Sequence, residues 1–331
     1  MAISGIATVS GGLRVSSAEM AARFPGRTEA DVIQRTGIES RPHLAAGQTV
    51  LTLATEAAQK VLRAGAMTLA DLSAIIVSTS SPLSLSPSLA CRLQHALAAD
   101  GPGKDLPAYD ILAACSGYLY ALQQAFDFCQ TRPDSTVLVV TAEAMSRFVD
   151  PTDFDTAIVF ADAATATLVH GAEARIPGRS RLHLHRPVLS ARGEDGTVLN
   201  HGRLESPSGD GGRGACSPVF MDGIKVFPLA VRQMLAVLER ACAESQWAVR
   251  DLDVIIPHQA NGRIIEAARN RLKDRPERVV NRVTHAGNSS SSTIPLVLAE
   301  LMREGPLAGK VGLCAFGAGF TFGAAVAEWA P

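Results

Sequence analysis

Two stretches, VLRAGAMTLADLSAII at residues 61–76 and VLERACAESQWAVRDLDVII at residues 237–256, share one pattern. In each, a helical segment passes through polar residues to an Asp-Leu pair, Asp71-Leu72 or Asp251-Leu252, and then to a β-branched run. This pattern is typical of a helix that leads into a buried strand. Buried strands between helices indicate a layered α/β sheet.

A second similarity follows each of these units. The small-residue turn AACSG (113–117) precedes a helical pattern in the first half, and HAGNSSSST (285–293) precedes one in the second. Both halves then close on an apolar strand and a Gly/Ala-rich or Ala-rich turn, at 137–145 and 311–325. Self-similarity at about half the chain length predicts a duplicated α/β/α architecture and argues against a solenoid, whose repeats are far shorter.

The two predicted halves meet at a polar segment that contains Gly and Pro, around residues 171–190. We expect residues 1–172 to form the N-terminal half and residues 173–331 to form the C-terminal half. The segment 194–217 is rich in Gly, Asp and Ser and is expected to be an exposed loop.

Composition narrows the class of protein. The chain has 331 residues, 47% apolar content and mean hydropathy +0.15, which suits a large core. Its 31 Lys and Arg nearly balance 32 Asp and Glu, so no overall field favours nucleic acid or an anionic membrane. No apolar run approaches the ~18 residues of a membrane span. Six scattered cysteines without a CxxC pair, and no signal-peptide pattern, predict free thiols and a cytoplasmic location.

Cys115 follows the short strand pattern AYDIL (108–112) and comes just before a predicted helix. Unpaired N–H groups and the dipole at a helix N-terminus stabilise a thiolate, which favours a nucleophile. A cysteine among alanines is also typical of a buried structural residue. The residues of the second half therefore decide between the two interpretations.

Three segments of the second half supply candidate partners. His258 ends a predicted buried strand, where sites form in open α/β sheets, and Asn288 lies in a turn of small residues. AFGAGFTFG (315–323) is a Gly-rich turn that can direct a backbone N–H at an oxyanion. Each has a plainer interpretation: a hydrogen-bonded core histidine, a serine-capped helix start, and an ordinary turn.

Taken together, Cys115 in ACSGYLYAL, His258 in PHQANGRI, Asn288 in HAGNSSSSTIP and the terminal FGAGFTFGAA resemble the β-ketoacyl-acyl-carrier-protein synthase III family. RTGIESR (35–41) and MDGIKVF (221–227) extend the resemblance, which covers essentially the whole chain. It implies the thiolase fold, an α/β fold whose duplicated α/β/α halves form a five-layered αβαβα architecture.

The resemblance also implies a reaction. Cys115 would carry an acyl group as a thioester, and that group would condense with a malonyl thioester that loses CO2. His258 and Asn288 would stabilise the resulting enolate, and the backbone N–H groups of Cys115 and Ala318 would form an oxyanion hole. The resemblance implies neither a metal nor a permanently bound cofactor; the substrates would be acyl-CoA or acyl-carrier protein and a malonyl thioester.

An intact Cys/His/Asn set favours condensation over two alternatives. One is a non-condensing acyltransferase of the same fold that makes an ester or amide, and the other is an inactive partner subunit of a heteromeric synthase. The pathway stays open between fatty acid initiation and specialised acyl, polyketide or cofactor-precursor synthesis.

Departures from the family pattern bear on the substrate. Asp31-Val32-Ile33 and Phe154 stand where family members carry the Trp and Arg that hold the adenine of coenzyme A. Either the adenine stacks differently, for instance on Phe154, or the acyl group arrives on a carrier protein. Ser86 stands where some relatives have a bulky Phe that closes the acyl pocket. With Phe227, it is predicted to line an acyl pocket that is open to primers larger than acetyl.

The helix after HQAN is basic, with Arg263, Arg269, Arg271 and Lys273. Arg263 matches a family position linked to docking of the acidic carrier protein, although charged runs are also typical of a solvated helix face. The resemblance further implies a homodimer.

Overall fold

A computed structural model of the chain describes residues 1–99, 103–176, 181–202, 218–305 and 309–330. The strands in these ranges are β1 (Ala2–Ser10), β2 (Leu13–Ser16), β3 (Ser40–His43), β4 (Ala74–Ser78), β5 (Ala108–Ile111), β6 (Thr136–Ala144), β7 (Asp162–His170), β8 (Arg181–Leu184), β9 (Val188–Ala191), β10 (Leu199–Asn200), β11 (Phe220–Met221), β12 (Val254–Pro257), β13 (Gly309–Gly317) and β14 (Thr321–Ala330). The α-helices are α1 (Ser17–Ala21), α2 (Glu29–Thr36), α3 (Val50–Ala64), α4 (Leu89–Ala98), α5 (Gly117–Thr131), α6 (Phe154–Ala157), α7 (Gly223–Glu244), α8 (Gly262–Arg271), α9 (Val283–Ala286) and α10 (Thr293–Glu304).

One mixed sheet joins most of the strands in the order β5-β4-β6-β7-β1-β8-β14-β13-β12, with β9 also paired to β14. Its two ends repeat one arrangement. β4 is parallel to β6, which is antiparallel to β7, and β12 is parallel to β13, which is antiparallel to β14. β5 lies parallel to β4, and a bridge between Ile255 and Val279 takes the corresponding place beside β12. The predicted duplication is therefore confirmed.

Apolar side chains divide the molecule into five layers, because successive strand residues point to opposite faces. Ile75 and Val77 of β4 pack with α3 and α4, whereas Ile76 packs with α5 and α10. In the other half, Ile255 of β12 packs with α7 and α8, whereas Ile256 packs with α5 and α10. The α5–α10 pair is thus the central layer of a five-layered αβαβα arrangement.

The repeated Asp-Leu pairs have the same structural role in both halves. The Asp71 carboxylate accepts a hydrogen bond from the backbone N–H of Thr68 at 2.7 Å, and Asp251 accepts one from Ala248 at 2.7 Å. Each aspartate thereby closes the turn that precedes a buried strand. Leu72 and Leu252 are both fully buried.

Some sequence predictions fall outside the described residues. Residues 203–217 of the expected exposed loop, including Cys216, lie there, and residues 177–180 near the expected junction do too. The other five cysteines form no disulfide. In the described ranges, no helix is long and apolar enough to span a membrane, and no group of His, Cys, Asp or Glu side chains is placed to hold a metal ion.

Candidate active site

Cys115 lies in a short 3-10 turn, Ala114–Ser116, directly before α5. Ala114 has φ of 46°, in the left-handed region that non-glycine residues rarely occupy. Such strained positions persist where the surrounding contacts hold them, and they concentrate at functional sites. The turn presents the half-buried Cys115 at the start of the central helix layer.

The C-terminal half contains a matching turn. Ser290–Ser292 forms a 3-10 turn directly before α10, and Ser290 has φ of 51°. Its first two residues, Ser290 and Ser291, therefore correspond to Ala114 and Cys115. The two turns pack against each other, so the duplication brings the starts of both central helices together.

The end of β13 approaches the backbone of Cys115 closely. A β-carbon on Gly317 would lie 2.7 Å from the Cys115 backbone N and 3.0 Å from that of Ser116, so a larger residue does not fit without a backbone shift. Thr321, at the start of β14, also contacts the segment before Cys115, because its hydroxyl donates to the Ala113 carbonyl at 2.9 Å. Ala318, next in the chain, is thereby held near Cys115.

His258 follows β12 and is 1% exposed. Its backbone N–H donates to Cys314 at 2.8 Å, and its Nδ1 lies 2.6 Å from the Thr293 hydroxyl. Burial lowers the pKa of His258 to about 3, so the ring is neutral near pH 7. Its Nε2 is buried and has no hydrogen-bond partner among the described residues.

Asn288 is held by its backbone and by its side chain. Its N–H donates to the Val159 carbonyl at 3.0 Å, and its carbonyl accepts from Ala161 at 2.9 Å. The side-chain oxygen accepts from the backbone N–H of Ser290 at 2.9 Å. Only the amide oxygen can accept this bond, so the NH2 group of Asn288 faces away from the N–H of Ser290 as a donor.

Comparison with known proteins identifies the family. Profiles of 3-oxoacyl-[acyl-carrier-protein] synthase III match residues 109–185, and profiles of its C-terminal part match residues 242–329. The β-ketoacyl-[acyl-carrier-protein] synthase III of Xanthomonas euvesicatoria pv. vesicatoria is 38% identical over 300 residues, which cover 90% of this chain and 89% of the relative. The chain belongs to the β-ketoacyl-acyl-carrier-protein synthase III family.

Solved structures agree with this family. The synthase III of Thermus thermophilus superposes with a TM-score of 0.87 at 32% identity, over 100% of this chain and 99% of the other. The priming β-ketosynthase of the R1128 polyketide pathway gives 0.85 at 29% identity, over 99% and 96%. The chain is therefore a thiolase-fold condensing enzyme of the acyltransferase class.

In this synthase III, the electrostatics of Cys115 differ from the sequence prediction. Burial, and to a smaller extent the nearby Glu143 carboxylate, raises the pKa of Cys115 to about 12. A hydrogen bond from the Ser290 hydroxyl lowers it, but burial outweighs that effect. The backbone N–H of Cys115 at the helix start also lowers the pKa of the thiol, as the sequence indicated, but burial has the larger effect and the pKa is raised.

This difference has a pH signature. With a pKa of about 12, the thiolate fraction of Cys115 rises about tenfold per pH unit between pH 7 and 9. We expect the rate constant for iodoacetamide alkylation of Cys115, followed by peptide mass spectrometry, to rise by the same factor. A rate constant that stays constant over this range would show that the thiolate is already formed.

A buried acid that sequence reasoning missed lies beside Cys115. Glu143, near the end of β6, is 0% exposed, and burial raises its pKa to about 7. Its Oε2 accepts from the Ser80 backbone N–H at 2.9 Å and from the Ser81 hydroxyl at 3.2 Å, and its Oε1 accepts from the Ser291 hydroxyl at 2.6 Å. Its only sequence signal is an acidic residue in the otherwise apolar strand VLVVTAEAM.

The remaining predicted site residues are Phe227, Arg263 and Ser86. Phe227 and the exposed Arg263 line one cavity of about 480 Å³, with Ile33, Gly37 and Ala267. Ser86 is not among its lining residues and is exposed in the loop between β4 and α4. The structure thus brings Phe227 and Arg263 together, and the acyl-pocket role of Ser86 and Phe227 stays a prediction.

The surroundings of Phe154 bear on the adenine question. Phe154 is 8% exposed, and the guanidinium groups of Arg27 and Arg35 lie 4.5 and 5.5 Å from its ring centroid. Phe24 packs against the same ring at 5.1 Å between centroids. Since neighbouring side chains already surround this ring, an adenine has no open face of Phe154 on which to stack.

Proposed function

We propose that this enzyme loads an acyl group onto Cys115 and extends it by decarboxylative Claisen condensation with a malonyl thioester. The observation that carries the proposal is the position of Ser290, which contacts two of the candidate catalytic residues directly and the third through Thr293. Its hydroxyl hydrogen-bonds to Cys115, its N–H donates to Asn288, and its carbonyl oxygen lies 3.2 Å from the Thr293 hydroxyl, which also contacts His258. One turn therefore positions residues from both halves.

Loading exchanges one thioester for another. The Cys115 sulfur attacks the acyl carbonyl, the bond to the donor sulfur breaks, and the thiol proton ends on the departing thiol. The backbone N–H groups of Cys115 and Ala318 are assigned to the oxyanion of this step, because Gly317, which precedes Ala318, lies against the backbone of Cys115. A protonated resting thiol means that the proton leaves during the attack and not before it.

Condensation needs donors for an enolate oxygen. Loss of CO2 from the malonyl thioester leaves a carbanion, which attacks the acyl-Cys115 carbonyl; the acyl–sulfur bond breaks, and the Cys115 sulfur takes up one proton from water to restore the thiol. The Asn288 NH2 is one donor, and His258 Nε2 is the other. We assign the Thr293 hydroxyl proton to its 2.6 Å contact with His258 Nδ1 and not to its 3.2 Å contact with Ser290, which keeps the ring proton on Nε2.

The test supplies an acyl thioester and malonyl-carrier protein and measures both products. Condensation gives a β-ketoacyl thioester and one CO2 per turnover. Transfer of the acyl group to an alcohol or amine without CO2 would favour the non-condensing alternative, and no acyl-Cys115 with any donor would favour the inactive subunit.

A carrier protein is the proposed donor of at least the malonyl group, and it would dock beside Arg263. Arg263 is exposed at the cavity and takes part in none of the ion pairs found among the described residues. Arg269 on the same helix is engaged, because it donates to the Val279 carbonyl at 2.9 and 2.7 Å. Arg263 is therefore available to an acidic partner.

Charge reversal tests this docking site. Arg263→Glu is expected to raise KM for malonyl-carrier protein about tenfold, because it places like charge against the acidic carrier, and to leave KM for malonyl-CoA nearly unchanged. Arg271→Glu on the exposed surface of the same helix is the matched control. Equal KM values for Arg263→Glu and wild type would contradict docking at Arg263.

A homodimer is proposed from the free edge of the sheet. β5 ends the strand order, and apolar side chains are exposed on it or near it: Leu83, Leu85, Tyr109 and Leu112, of which Leu85 is 81% exposed. An apolar surface beside an unpaired strand edge is typical of a subunit interface. In such a dimer, Ser86 next to Leu85 would lie in the interface.

We also propose that the boundary between the two halves lies between residues 172 and 173, and that the enzyme is located in the cytoplasm.

A further inference from the structure

Glu143 is a fully buried carboxyl for which the described residues supply no cationic partner. Burial of an unpaired carboxylate is unfavourable, and an apolar side chain at this place in β6 avoids that penalty. The acid is therefore expected to contribute something other than stability. Its hydrogen bonds and neighbours indicate what that is.

The hydrogen bonds of Glu143 join three segments. Ser80 and Ser81 lie in the loop that follows β4, in the N-terminal half, whereas Ser291 lies in the turn that precedes α10. The Ser81 hydroxyl in turn accepts from the backbone N–H of Ala144 at 2.7 Å, which closes the network on β6 itself. Glu143 thus connects the two halves directly at the level of the candidate site.

The turn that Glu143 holds is the turn that orients Asn288. The Ser290 N–H donates to the Asn288 side chain at 2.9 Å, and Ser290 has the left-handed φ of 51°. A strained turn keeps its geometry only while its surroundings hold it. The bond from Ser291 to Glu143 is adjacent to this strained residue, so its loss would free the turn to relax and would turn the Asn288 NH2 away from its substrate oxygen.

We propose that Glu143 is a positioning residue for Asn288, which it orients by fastening the Ser290–Ser291 turn to the N-terminal half. This proposal rests on the proposed function, since it concerns the condensation step in which Asn288 acts. Glu143 itself touches neither substrate nor the reacting atoms in this account. Hydrogen bonding carries the effect, and negative charge does not.

Glutamine can replace the three bonds to Ser80, Ser81 and the Ser291 hydroxyl. Both N-terminal donors, from Ser80 and Ser81, bind to Oε2, which an amide oxygen can replace. The Ser291 hydroxyl contacts Oε1, and a hydroxyl can accept from an amide NH2 in that place; the Ser290 hydroxyl and the Ser291 backbone N–H also hydrogen-bond to the carboxyl. Because the pKa of Glu143 is raised to about 7, the uncharged carboxyl that glutamine resembles is already well populated at neutral pH.

The test separates the two half-reactions in Glu143→Ala, Glu143→Gln and Ser291→Ala. We expect Glu143→Ala to lower condensation about 30-fold and loading of Cys115 by less than about threefold, because a misplaced group costs most in the step that uses it. Glu143→Gln is expected to restore condensation, and Ser291→Ala to lower it about tenfold. Ser292→Ala is the matched control, since Ser292 bonds the same turn to Thr141 of β6 at 2.8 Å without contacting Glu143.

Amide hydrogen exchange over residues 288–293 provides a readout that does not depend on activity. Faster exchange is expected in Glu143→Ala and Ser291→Ala, and wild-type exchange in Glu143→Gln. If Glu143→Ala does not fold, Ser291→Ala gives the same comparison from the other side of the bond. The proposal is wrong if both variants condense and exchange like wild type, if glutamine fails to restore condensation, or if loading falls as much as condensation. Failure of the wild-type enzyme to load or to release CO2 would instead contradict the proposed function.

Discussion

Cys115→Ala is expected to abolish acyl loading and condensation together. The only covalent bond between enzyme and substrate is assigned to the Cys115 sulfur, which hydrogen-bonds to Ser290. Removal of a covalent nucleophile lowers turnover by roughly 10⁴-fold or more. Intact-protein mass spectrometry after incubation with acyl thioesters checks the loading step, and product analysis checks condensation.

Cys91→Ala is the matched control for this prediction. Cys91 is an exposed free thiol on α4, and its sulfur contacts only the Ala108 carbonyl in the described part of the chain. We expect this variant to load and condense like wild type. An acyl adduct that persists in Cys115→Ala and disappears in Cys91→Ala would contradict the assignment of the nucleophile.

Asn288→Asp is expected to lower condensation by about 10²- to 10³-fold, or about 3–4 kcal/mol of transition-state stabilisation. Aspartate has nearly the same shape, and one carboxylate oxygen can still accept from the Ser290 N–H. The other oxygen replaces the NH2 donor and places negative charge against the developing enolate. A donor is thus lost and a repulsion is added at the same point.

Loading of Cys115 serves as the internal control for Asn288→Asp. Because the loading step is proposed to use the oxyanion hole of Cys115 and Ala318, its rate is expected to fall by less than about threefold. Single-turnover measurements of acyl-Cys115 formation and of CO2 release separate the two steps. Equal losses in both steps would place Asn288 in loading or in packing and would contradict its assignment to the enolate.

The sequence predicted the fold because its signals are local and repeated. Asp71 and Asp251 each close a turn before a buried strand, so their spacing carries structural information that one chain reveals by comparison with itself. The small-residue turns at Cys115 and Asn288 repeat for the same reason, since both begin a central helix beside the opposite half. Because of this duplication, the layered fold could be predicted from the sequence without knowledge of any contact.

Burial and long-range contacts were harder to predict from the sequence. The pKa of Cys115 depends on how deeply the thiol is buried, and the helix start alone suggested the opposite direction. Glu143 gave almost no signal, because its partners Ser80 and Ser291 are far from it in the chain. From the sequence, Phe154 was one residue on which an adenine could stack. In the structure, the guanidinium groups of Arg27 and Arg35 lie against its ring. These features depend on the packing of distant segments.

Two turns of a duplicated fold meet at the proposed site: one carries the proposed nucleophile, and the other positions the proposed enolate donors. Ser290 contacts Cys115 and Asn288 and, through Thr293, reaches His258, so the halves act together only if these contacts persist during the reaction. Both half-reactions must then take place at Cys115.

A single-turnover experiment on pre-loaded enzyme tests this most directly. Acyl-Cys115 enzyme is mixed with malonyl-carrier protein that is labelled in its free carboxyl group, and the adduct and labelled CO2 are followed together. We predict that one labelled CO2 appears for each acyl group that leaves Cys115, with a β-ketoacyl product in equal amount. Loss of the acyl group without CO2, or release of CO2 while acyl-Cys115 persists, would contradict decarboxylative condensation at this site.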